Sequence, residues 1–197
     1  MMTDSRLRHF EALYSASDDP WNVHGAWYER RKRAILLASL ARPRYRHAFE
    51  PGCGNGALSV ALAPRCERLL ASDGAAAALA AARRDLPPAL DDTVRFEQRR
   101  LPHDWPDGET FDLVVISELA YYFPFSVATS ILERAAACLA PDGELVMCHY
   151  LHDFDDRACG TLELHGAAAG IRSLRRSQHH HDRDFLLETW VPAGSAP

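Results

Sequence analysis

Residues 48–57 read Ala-Phe-Glu-Pro-Gly-Cys-Gly-Asn-Gly-Ala, and this stretch decides the fold. Its apolar start predicts a strand, and a helix-forming run begins at Ala57. A strand that ends on Gly-x-Gly-x-Gly and turns directly into a helix lets the backbone approach a nucleotide-like ligand closely, because glycine has no side chain. The spacing is one residue tighter than the Gly-x-Gly-x-x-Gly of dinucleotide-binding proteins. The turn therefore predicts a ligand site, with Glu50 placed to meet a positively charged group.

The sequence on both sides of this turn alternates strand-like and helix-like segments. Such alternation predicts an α/β protein with a doubly wound, mostly parallel sheet of seven strands. The last two strands follow each other directly, which predicts a C-terminal antiparallel hairpin with His179-His180-His181 at its tip. The expected strands are 45–49, 68–72, 93–98, 111–117, 144–149, 171–177 and 184–191, and the expected helices are 28–41, 57–63, 75–84, 126–139 and 161–169.

The chain length favours one domain. A chain of 197 residues buries roughly 70% of its unfolded surface, which is enough for a substantial core. The expected organisation is a single domain over 1–197, with a helical leader over 1–41 and a Rossmann-like core over 45–192. The leader carries Trp21 and Trp27, which we interpret as part of a lid over a bound cofactor. The alternative is a hydrophobic latch that only docks the first helix.

The composition excludes several classes of protein. The formal net charge of −5 provides no electrostatic argument for nucleic acid or an anionic membrane as a partner. Five scattered cysteines without a Cys-x-x-Cys pair argue against a disulfide framework and indicate a reducing compartment. No apolar run reaches the roughly 18 residues of a membrane span, and the N-terminal Met-Met-Thr-Asp-Ser-Arg is too polar for a secretory signal. The expected location is the cytoplasm, and the expected partner is a small molecule.

Two runs of like residues have alternative interpretations. Arg30-Arg31-Lys32-Arg33 could indicate nucleic-acid binding, but consecutive residues at a helix start point around its circumference, so we expect a solvated helix with one residue reaching inward. The run 179–181 could indicate a metal, but adjacent strand residues point to alternate faces of a sheet. The prediction is a solvated helix start for the first run, a hairpin tip for the second, and no metal.

The informative residues of a doubly wound sheet are those that end its strands, because ligands bind outside the carboxyl ends. The first strand supplies Glu50 and the glycines of the turn. The second supplies Asp73, whose carboxylate can accept both hydroxyls of a ribose. Asp73 is equally suited to cap the following helix. Together with the glycine turn, it favours ribose binding.

Residues 45–150 resemble the class I S-adenosylmethionine-dependent methyltransferases. The resemblance rests on the glycine turn, Asp73, the strand Phe-Asp-Leu-Val-Val-Ile-Ser-Glu and the strand Pro-Asp-Gly-Glu-Leu-Val. It implies a Rossmann-like sheet, S-adenosyl-L-methionine as cofactor and S-adenosyl-L-homocysteine as product. The turn would contact the methionine part of the cofactor and Asp73 the ribose. The implied cofactor-binding residues are Trp27, Arg31, Glu50, Gly52, Cys53, Gly54, Gly56, Asp73, Gly74, Arg100, Leu101, Ser117 and Glu118.

A narrower resemblance covers nearly the whole chain. The stretches DDPWNVHGAWYERRKRAILL, SELAYYF, CHYLH and DFLLETW are similar to nodulation protein S and its bacterial relatives, in which the methyl group goes to the amino group of a deacetylated chitooligosaccharide. This resemblance implies that Trp27, Tyr28 and Arg31 border the cleft, that Glu118, Tyr121 and Tyr122 line the reacting centre, and that His149 faces the acceptor.

The chain departs from the methyltransferase pattern in two places. The loop after the third strand reads Gln-Arg-Arg-Leu-Pro, without the acid that often binds the adenine amino group. We expect backbone groups of Arg100 and Leu101 to contact the adenine instead. Gly74 stands where many relatives carry a larger residue that covers one adenine face.

The expected activity is methyl transfer to a small acceptor, with an amine favoured. The transfer is an in-line displacement, so positioning supplies much of the acceleration. An ammonium must first lose a proton, which makes Glu118 and His149 candidate bases, and Tyr122 a candidate aromatic wall of the centre. Glu118 could instead orient the substrate, and His149 could be a hydrogen-bonded strand-end histidine. Core packing is the alternative role for the aromatic run 121–123.

Other kinds of function remain open from the sequence. The same turn would serve an S-adenosylmethionine-binding protein without turnover, or an O-methyltransferase of a small metabolite. The tight glycine spacing disfavours a nicotinamide-dependent oxidoreductase. The chain is expected to be a monomer or a weak homodimer.

Overall fold

The computed structural model describes residues 4–194. Residues 1–3, which belong to the predicted polar N-terminus, lie outside the described residues, as do residues 195–197. The seven strands are hydrogen-bonded in the order β3-β2-β1-β4-β5-β7-β6. This order confirms the predicted Rossmann-like α/β fold. The chain divides into two compact units, one that runs up to Arg100 and one that begins at Leu101.

The first unit contains the glycine turn and its neighbours. Its three strands are parallel, because each is connected to the next by a helix that crosses one face of the sheet. Ala48, Phe49 and Ala71 are fully buried at its centre. The elements are α1 (Asp4–Ala16), α2 (Trp27–Ser39), β1 (Ala48–Pro51), α3 (Ala57–Leu62), β2 (Leu69–Asp73), α4 (Ala76–Asp85) and β3 (Val94–Gln98).

The second unit contains the apolar strand that the sequence predicts most clearly. β4 lies parallel to β5, whereas β7 is antiparallel to both β5 and β6, which confirms the C-terminal hairpin. The side chains of residues 113–116 are completely buried, as expected for a central strand. The elements are β4 (Phe111–Ser117), α5 (Phe125–Ala137), β5 (Leu139–Tyr150), α6 (Thr161–Ala169), β6 (Leu174–His181) and β7 (Phe185–Pro192).

The structure corrects two predictions in this unit. His179, His180 and His181 lie inside β6 and not at the tip of the hairpin, which is formed by residues 182–184. They pair with residues 186–188 of β7, so the polar composition reflects an edge strand with solvent on its side chains. The strand expected over 144–149 begins earlier, at Leu139, and its register with β4 shifts between Phe111 and Leu113.

Helix α1 has no counterpart among the predicted helices, although the leader as a whole was expected to be helical. The sequence contains a signal for it, since Leu7, Phe10 and Tyr14 follow each other at helical spacing. Most of the other residues of α1 are polar, so the helix lacks the long apolar stripe that marks an amphipathic helix. No helix within residues 4–194 combines the length and the apolar character needed to cross a membrane.

Candidate active site

The glycine turn folds into a tight loop at the carboxyl end of β1. The Cys53 N–H donates to the Ser72 carbonyl on β2 (2.9 Å), and the Gly56 N–H donates back to the Cys53 carbonyl (3.0 Å). Gly54 and Gly56 have φ angles of +55° and +79°, in the left-handed region that other residues reach only with strain. The backbone of the turn therefore depends on these glycines.

A side chain at either glycine would also crowd neighbouring residues. A methyl group added at Gly54 would overlap the Tyr14 hydroxyl of α1. One added at Gly56 would lie 3.0 Å from the Ala82 Cβ and 3.2 Å from the Phe96 ring. The absent side chains thus allow α1, α4 and β3 to approach the turn. Tyr14 is a site residue that the sequence interpretation missed.

Glu50 is a buried acid directly before the turn. Its side chain is 3% exposed, and Oε2 accepts a hydrogen bond of 2.6 Å from the Ser59 hydroxyl. Burial, only partly offset by the Ser59 bond, raises the pKa of Glu50 to about 8, and the nearby Asp73 carboxylate adds to the increase. A cation beside this buried carboxyl group would lower its pKa and stabilise its ionised form.

This raised pKa predicts an unusual pH dependence of stability. Between its ordinary pKa of 4.5 and about 8, Glu50 is ionised in the unfolded chain and protonated in the native state. The unfolded state then binds fewer protons, so the free energy of unfolding falls as the pH rises through this window, by at most about 1.4 kcal/mol per pH unit.

The measurement is urea unfolding of the cofactor-free protein at pH 5.5 and at pH 8. Glu50→Gln should flatten the pH dependence, because the amide keeps the hydrogen bond but does not titrate. Exposed Glu67→Gln is the matched control and should leave the dependence as it is. Equal slopes for the native protein and Glu50→Gln would contradict the prediction.

Asp73 ties the turn to the beginning of α4. Its Oδ2 accepts the Gly54 N–H (3.0 Å), and its Oδ1 accepts the Ala75 N–H (2.9 Å). Burial raises the pKa of Asp73, although these backbone hydrogen bonds oppose the increase. The carboxylate thus organises both the glycine turn and the first residues before α4. This geometry is compatible with both roles considered for Asp73, the capping role and the proposed ribose contact.

The thiol of Cys53 is buried within the turn. Its Sγ lies 3.8 Å from the Gly54 carbonyl oxygen. Burial raises the pKa of this thiol well above its ordinary value, and the Asp73 and Glu50 carboxylates add to the increase. The thiol is therefore an inert, neutral group, and its predicted contact with a cofactor is one of packing.

The leader docks on the turn and on α4 through α1. The Glu11 carboxylate accepts the Ala77 N–H at 3.2 Å, and the Asp18 carbonyl accepts the Asn55 side-chain amide at 3.1 Å. Trp21 packs edge-on against the Tyr14 ring, with 5.5 Å between the ring centres. These contacts place the aromatic leader beside the predicted cofactor residues. Its action as a lid stays a prediction.

The predicted cleft residues of α2 lie in different environments. Trp27 is 70% exposed, with Arg30 over its ring at 6.0 Å. Arg31 is half-buried. Lys32 is the inward-pointing member of the basic run, since it is 4% exposed and its ammonium lies 2.9 Å from Glu29 and 4.8 Å from the Tyr28 ring centre. The expected single inward residue is thus present.

The loop after β3 is joined to the end of β2. The Gln98 side-chain amide donates to the Gly74 carbonyl (2.9 Å), and the Arg99 N–H donates to the Asp73 carbonyl (2.9 Å). Arg100 is exposed at the end of the first unit, whereas Leu101 is 5% exposed within the second. Adenine contacts of the Arg100 and Leu101 backbones remain a prediction.

In the second unit, β4 ends in a strained turn at Glu118. Glu118 has a φ of +51°, a left-handed conformation that is uncommon for a residue with a side chain. Its Oε2 accepts the Tyr121 hydroxyl and, at 3.2 Å, the Tyr150 N–H. Strain of this kind persists only where the surroundings enforce it, and it is concentrated at functional sites. Ser117, directly before it, is half-buried at the end of the strand.

Aromatic rings surround the Glu118 turn. The Tyr121 ring packs edge-on against Tyr122 (4.9 Å between centres), His149 (5.1 Å) and Phe154 (5.0 Å). Phe154, which the sequence interpretation missed, also contacts Tyr122 at 5.6 Å. Phe123 is 1% exposed and belongs to the core, so one ring of the run 121–123 serves packing, as the alternative interpretation held.

His149 is completely buried and hydrogen-bonded at both ring nitrogens. Its Nε2 accepts the Ala120 N–H at 3.3 Å, and its Nδ1 lies 3.1 Å from Nε2 of His165. A histidine with both nitrogens engaged has no lone pair for a substrate proton. The geometry therefore favours the hydrogen-bonded strand-end histidine over the predicted base.

The hydrogen-bond chain that starts at His149 ends on a buried carboxylate. His165 Nδ1 lies 2.9 Å from Glu188 Oε2, and Glu188 Oε1 pairs with Arg176 at 2.5 Å and His179 at 2.9 Å. Burial alone would raise the pKa of Glu188, but the bonds from His165, His179 and Arg176 lower it to about 2. Neither His165 nor Glu188 was singled out from the sequence, since they meet only in the folded sheet. Among residues 4–194, no group of three or more His, Cys, Asp or Glu side chains could hold a metal ion.

Comparison with known proteins identifies the family. The sequence model of the methyltransferase domain family matches residues 48–143, which include the glycine turn and Asp73. A putative methyltransferase of Pseudomonas syringae, known from its crystal structure, is 43% identical, with a TM-score of 0.72 over 84% of this chain and 99% of that chain. The chain belongs to the class I S-adenosylmethionine-dependent methyltransferases.

Within that class, the chain is similar to nodulation protein S. The protein of that name from Rhizobium tropici is 35% identical over 66% of this chain, and the one from Sinorhizobium fredii is 29% identical over 66%. The matches span 55% and 60% of the lengths of those two proteins.

The fold of a solved relative agrees with this similarity. The N-methyltransferase NodS of Bradyrhizobium japonicum WM9, crystallised with S-adenosyl-L-homocysteine, superimposes with a TM-score of 0.83 over 95% of this chain and 98% of its own. At 23% identity, the likeness shows a shared fold.

Proposed function

We propose that this protein transfers the methyl group of S-adenosyl-L-methionine to the amino group of a small molecule, with an amino sugar or oligosaccharide as the expected acceptor. The observation that carries the proposal is the Glu118 carboxylate, which stands in a strained turn among aromatic rings. A carboxylate attracts an ammonium group, and aromatic faces suit both a cation and the apolar faces of a sugar ring.

The residues of the first unit fit the cofactor. Gly54 and Gly56 leave the backbone of the turn bare, and the Asp73 carboxylate stands directly beside it. Glu50 is buried within the same loop, where a cationic amino group would stabilise its ionised form. When bound, S-adenosylmethionine supplies the electrophilic methyl group. We assign the glycine turn, Glu50 and Asp73 to holding it.

The second unit supplies groups for the acceptor. The Tyr121 hydroxyl and the Tyr150 N–H hold Oε2 of Glu118 from two sides, which fixes the direction of the carboxylate. A fixed carboxylate orients an ammonium group and accepts the proton that the group loses before its nitrogen lone pair attacks. Tyr122, half-buried against Phe154, is assigned to the aromatic wall. His149 is assigned to holding the turn.

The acceptor class is tested by incubation with radiolabelled S-adenosylmethionine. The panel contains glucosamine oligomers, simple primary amines, phenols and carboxylates. We expect labelled product from glucosamine oligomers or other amines and none from phenols or carboxylates. Transfer to phenols alone would replace the proposal with an O-methyltransferase. Cofactor binding by calorimetry without any transfer would indicate a binding protein without turnover.

Replacement of Glu118 by glutamine tests its role in the proposed reaction. Glu118→Gln keeps the size of the side chain and an oxygen for Tyr121, but it removes the charge that orients the ammonium and the site that accepts its proton. General-base and orienting groups of this kind contribute about 100-fold or more to turnover, so kcat should fall by about that factor and KM for the amine should rise.

The measurement is steady-state kinetics together with calorimetry of S-adenosylhomocysteine, whose affinity should change less than about twofold since Glu118 would act on the acceptor. Glu133→Gln, on the exposed side of α5, is the matched control and should leave kcat unchanged. Full activity of Glu118→Gln would overturn the assignment of this residue without affecting that of the cofactor residues.

A further inference from the structure

Three consecutive residues of β5 hold the Glu118 turn. The Cys148 carbonyl accepts the Glu118 N–H at 2.9 Å. The His149 ring accepts the Ala120 N–H, and the Tyr150 N–H donates to the Glu118 carboxylate. Two of these three contacts are backbone groups whose positions follow from the sheet. The contact through His149 depends on a side chain, so its strength depends on what holds the imidazole.

The chain from Ala120 to Glu188 has only one possible direction. A backbone N–H always donates, so His149 Nε2 must be an acceptor and its proton must lie on Nδ1. That proton is donated to His165 Nε2, which places the proton of His165 on Nδ1, facing Glu188. A carboxylate accepts this last hydrogen bond without conflict. The Ala120 N–H at one end and the Glu188 carboxylate at the other therefore require the same neutral tautomer of both histidines, with the proton on Nδ1.

We propose that Glu188, acting through His165 and His149, is a positioning residue that holds the Glu118 turn in its strained conformation. The inference rests on the proposed role of Glu118 toward the acceptor. Glu188 is 2% exposed, lies on β7, and reaches the turn through the two imidazoles. The direction of these hydrogen bonds makes the carboxylate necessary. A donor in its place would reverse both tautomers and set a His149 N–H against the Ala120 N–H.

Glu188→Gln creates this conflict with little change in shape. Arg176 always donates and contacts Oε1 of Glu188, so the single amide oxygen of the variant is drawn toward Arg176 and its NH₂ group faces His165. Adding Arg176→Ala removes the obligate donor at this position, and His179, the other contact of Oε1, can accept the amide NH₂ through its Nδ1. The amide oxygen is then available to His165. The double variant should therefore regain the native order. Arg176→Ala alone keeps the carboxylate and is its control.

The experiment combines ¹⁵N NMR of the histidine rings with amide hydrogen exchange on the intact protein. We expect a protonated Nδ1 for His149 in the native protein and in Arg176→Ala. In Glu188→Gln this signature should be lost, the Tyr150 amide resonance should shift, and the Ala120 amide should exchange about tenfold faster or more, since its hydrogen bond opens. The double variant should restore all three signals. His181→Ala, on the exposed side of β6, should change none of them.

Turnover connects the chain to the proposed reaction. In Glu188→Gln, kcat with a glucosamine oligomer should fall about tenfold and return in the double variant, while S-adenosylhomocysteine affinity stays within about twofold. An unchanged His149 signature in Glu188→Gln would overturn the inference, as would a lost signature that leaves the Tyr150 amide and kcat unaffected. Failure of the proposed function would give a different result from these two outcomes. The native protein would then transfer no methyl group to any amine, and the NMR signals of the variants could still be compared.

Discussion

Gly54→Ala should abolish measurable binding of S-adenosylhomocysteine. The new methyl group has two separate costs: a φ of +55° that disfavours any side chain, and overlap with the Tyr14 hydroxyl of α1. Either the Tyr14 side chain turns away or the glycine turn shifts, and a shift of the turn separates the Gly54 N–H from Oδ2 of Asp73. We expect a loss of affinity of at least about 100-fold, or about 2.7 kcal/mol.

The matched control is Gly108→Ala, since Gly108 also has a left-handed φ, +85°, but the position that its Cβ would occupy has no neighbour within 4 Å. The control therefore reproduces the backbone strain without the steric overlap. Calorimetry should show native affinity for Gly108→Ala, and thermal unfolding should show that both variants fold. Native affinity in Gly54→Ala would mean that the turn does not hold the cofactor.

Asp73→Ala has an expected effect of similar size, for a different reason. The substitution removes the acceptor of two backbone N–H groups, those of Gly54 and Ala75, and each buried donor left without a partner costs about 1–3 kcal/mol. It also removes the proposed ribose contact. We expect S-adenosylhomocysteine affinity to fall about 100-fold or more.

The two roles of Asp73 are separated by measuring the thermal midpoint of the variants and their affinity for S-adenosylhomocysteine with and without its ribose hydroxyls. If Asp73 only organised the backbone of the turn, Asp73→Ala would lower the midpoint and weaken the binding of both ligands by the same factor. If it binds the ribose, the native protein prefers the ligand that keeps its hydroxyls, and Asp73→Ala loses that preference. Asp73→Asn keeps one acceptor oxygen, so its affinity for S-adenosylhomocysteine should lie between those of the native protein and Asp73→Ala, with about a tenfold loss. Exposed Asp92→Ala is the control and should change neither quantity.

The cofactor end of the protein could be predicted from the sequence to a large extent, because its signal is local. The glycines, Glu50 and Asp73 each end a strand, and strand ends in a parallel sheet meet at one edge. The doubly wound sheet and the C-terminal hairpin followed from the same alternation of segments. The roles of the individual cofactor residues remain predictions until binding is measured.

Predictions for the second unit were less complete, because its contacts join residues distant along the chain. Glu118 was identified from its position after an apolar strand, but its left-handed backbone has no sequence signal. His149 was a candidate base, with a hydrogen-bonded strand-end histidine as the alternative. Its Nδ1 contacts His165, 16 residues further on, and its Nε2 accepts the Ala120 N–H. The chain then continues from His165 to Glu188, which lies 39 residues after His149. Periodicity cannot reveal such a chain, since it describes one segment at a time.

The sequence by itself determined the fold class, the family and the type of cofactor of that family, because periodicity and glycine spacing are properties of short segments. The tertiary structure alone decided the surroundings of each side chain. It placed Tyr14 over Gly54, buried Glu50 against Ser59, and joined His149 to Glu188 through His165. The physical reason is that burial and hydrogen-bond partners, which set pKa and tautomer, arise only when distant segments pack together.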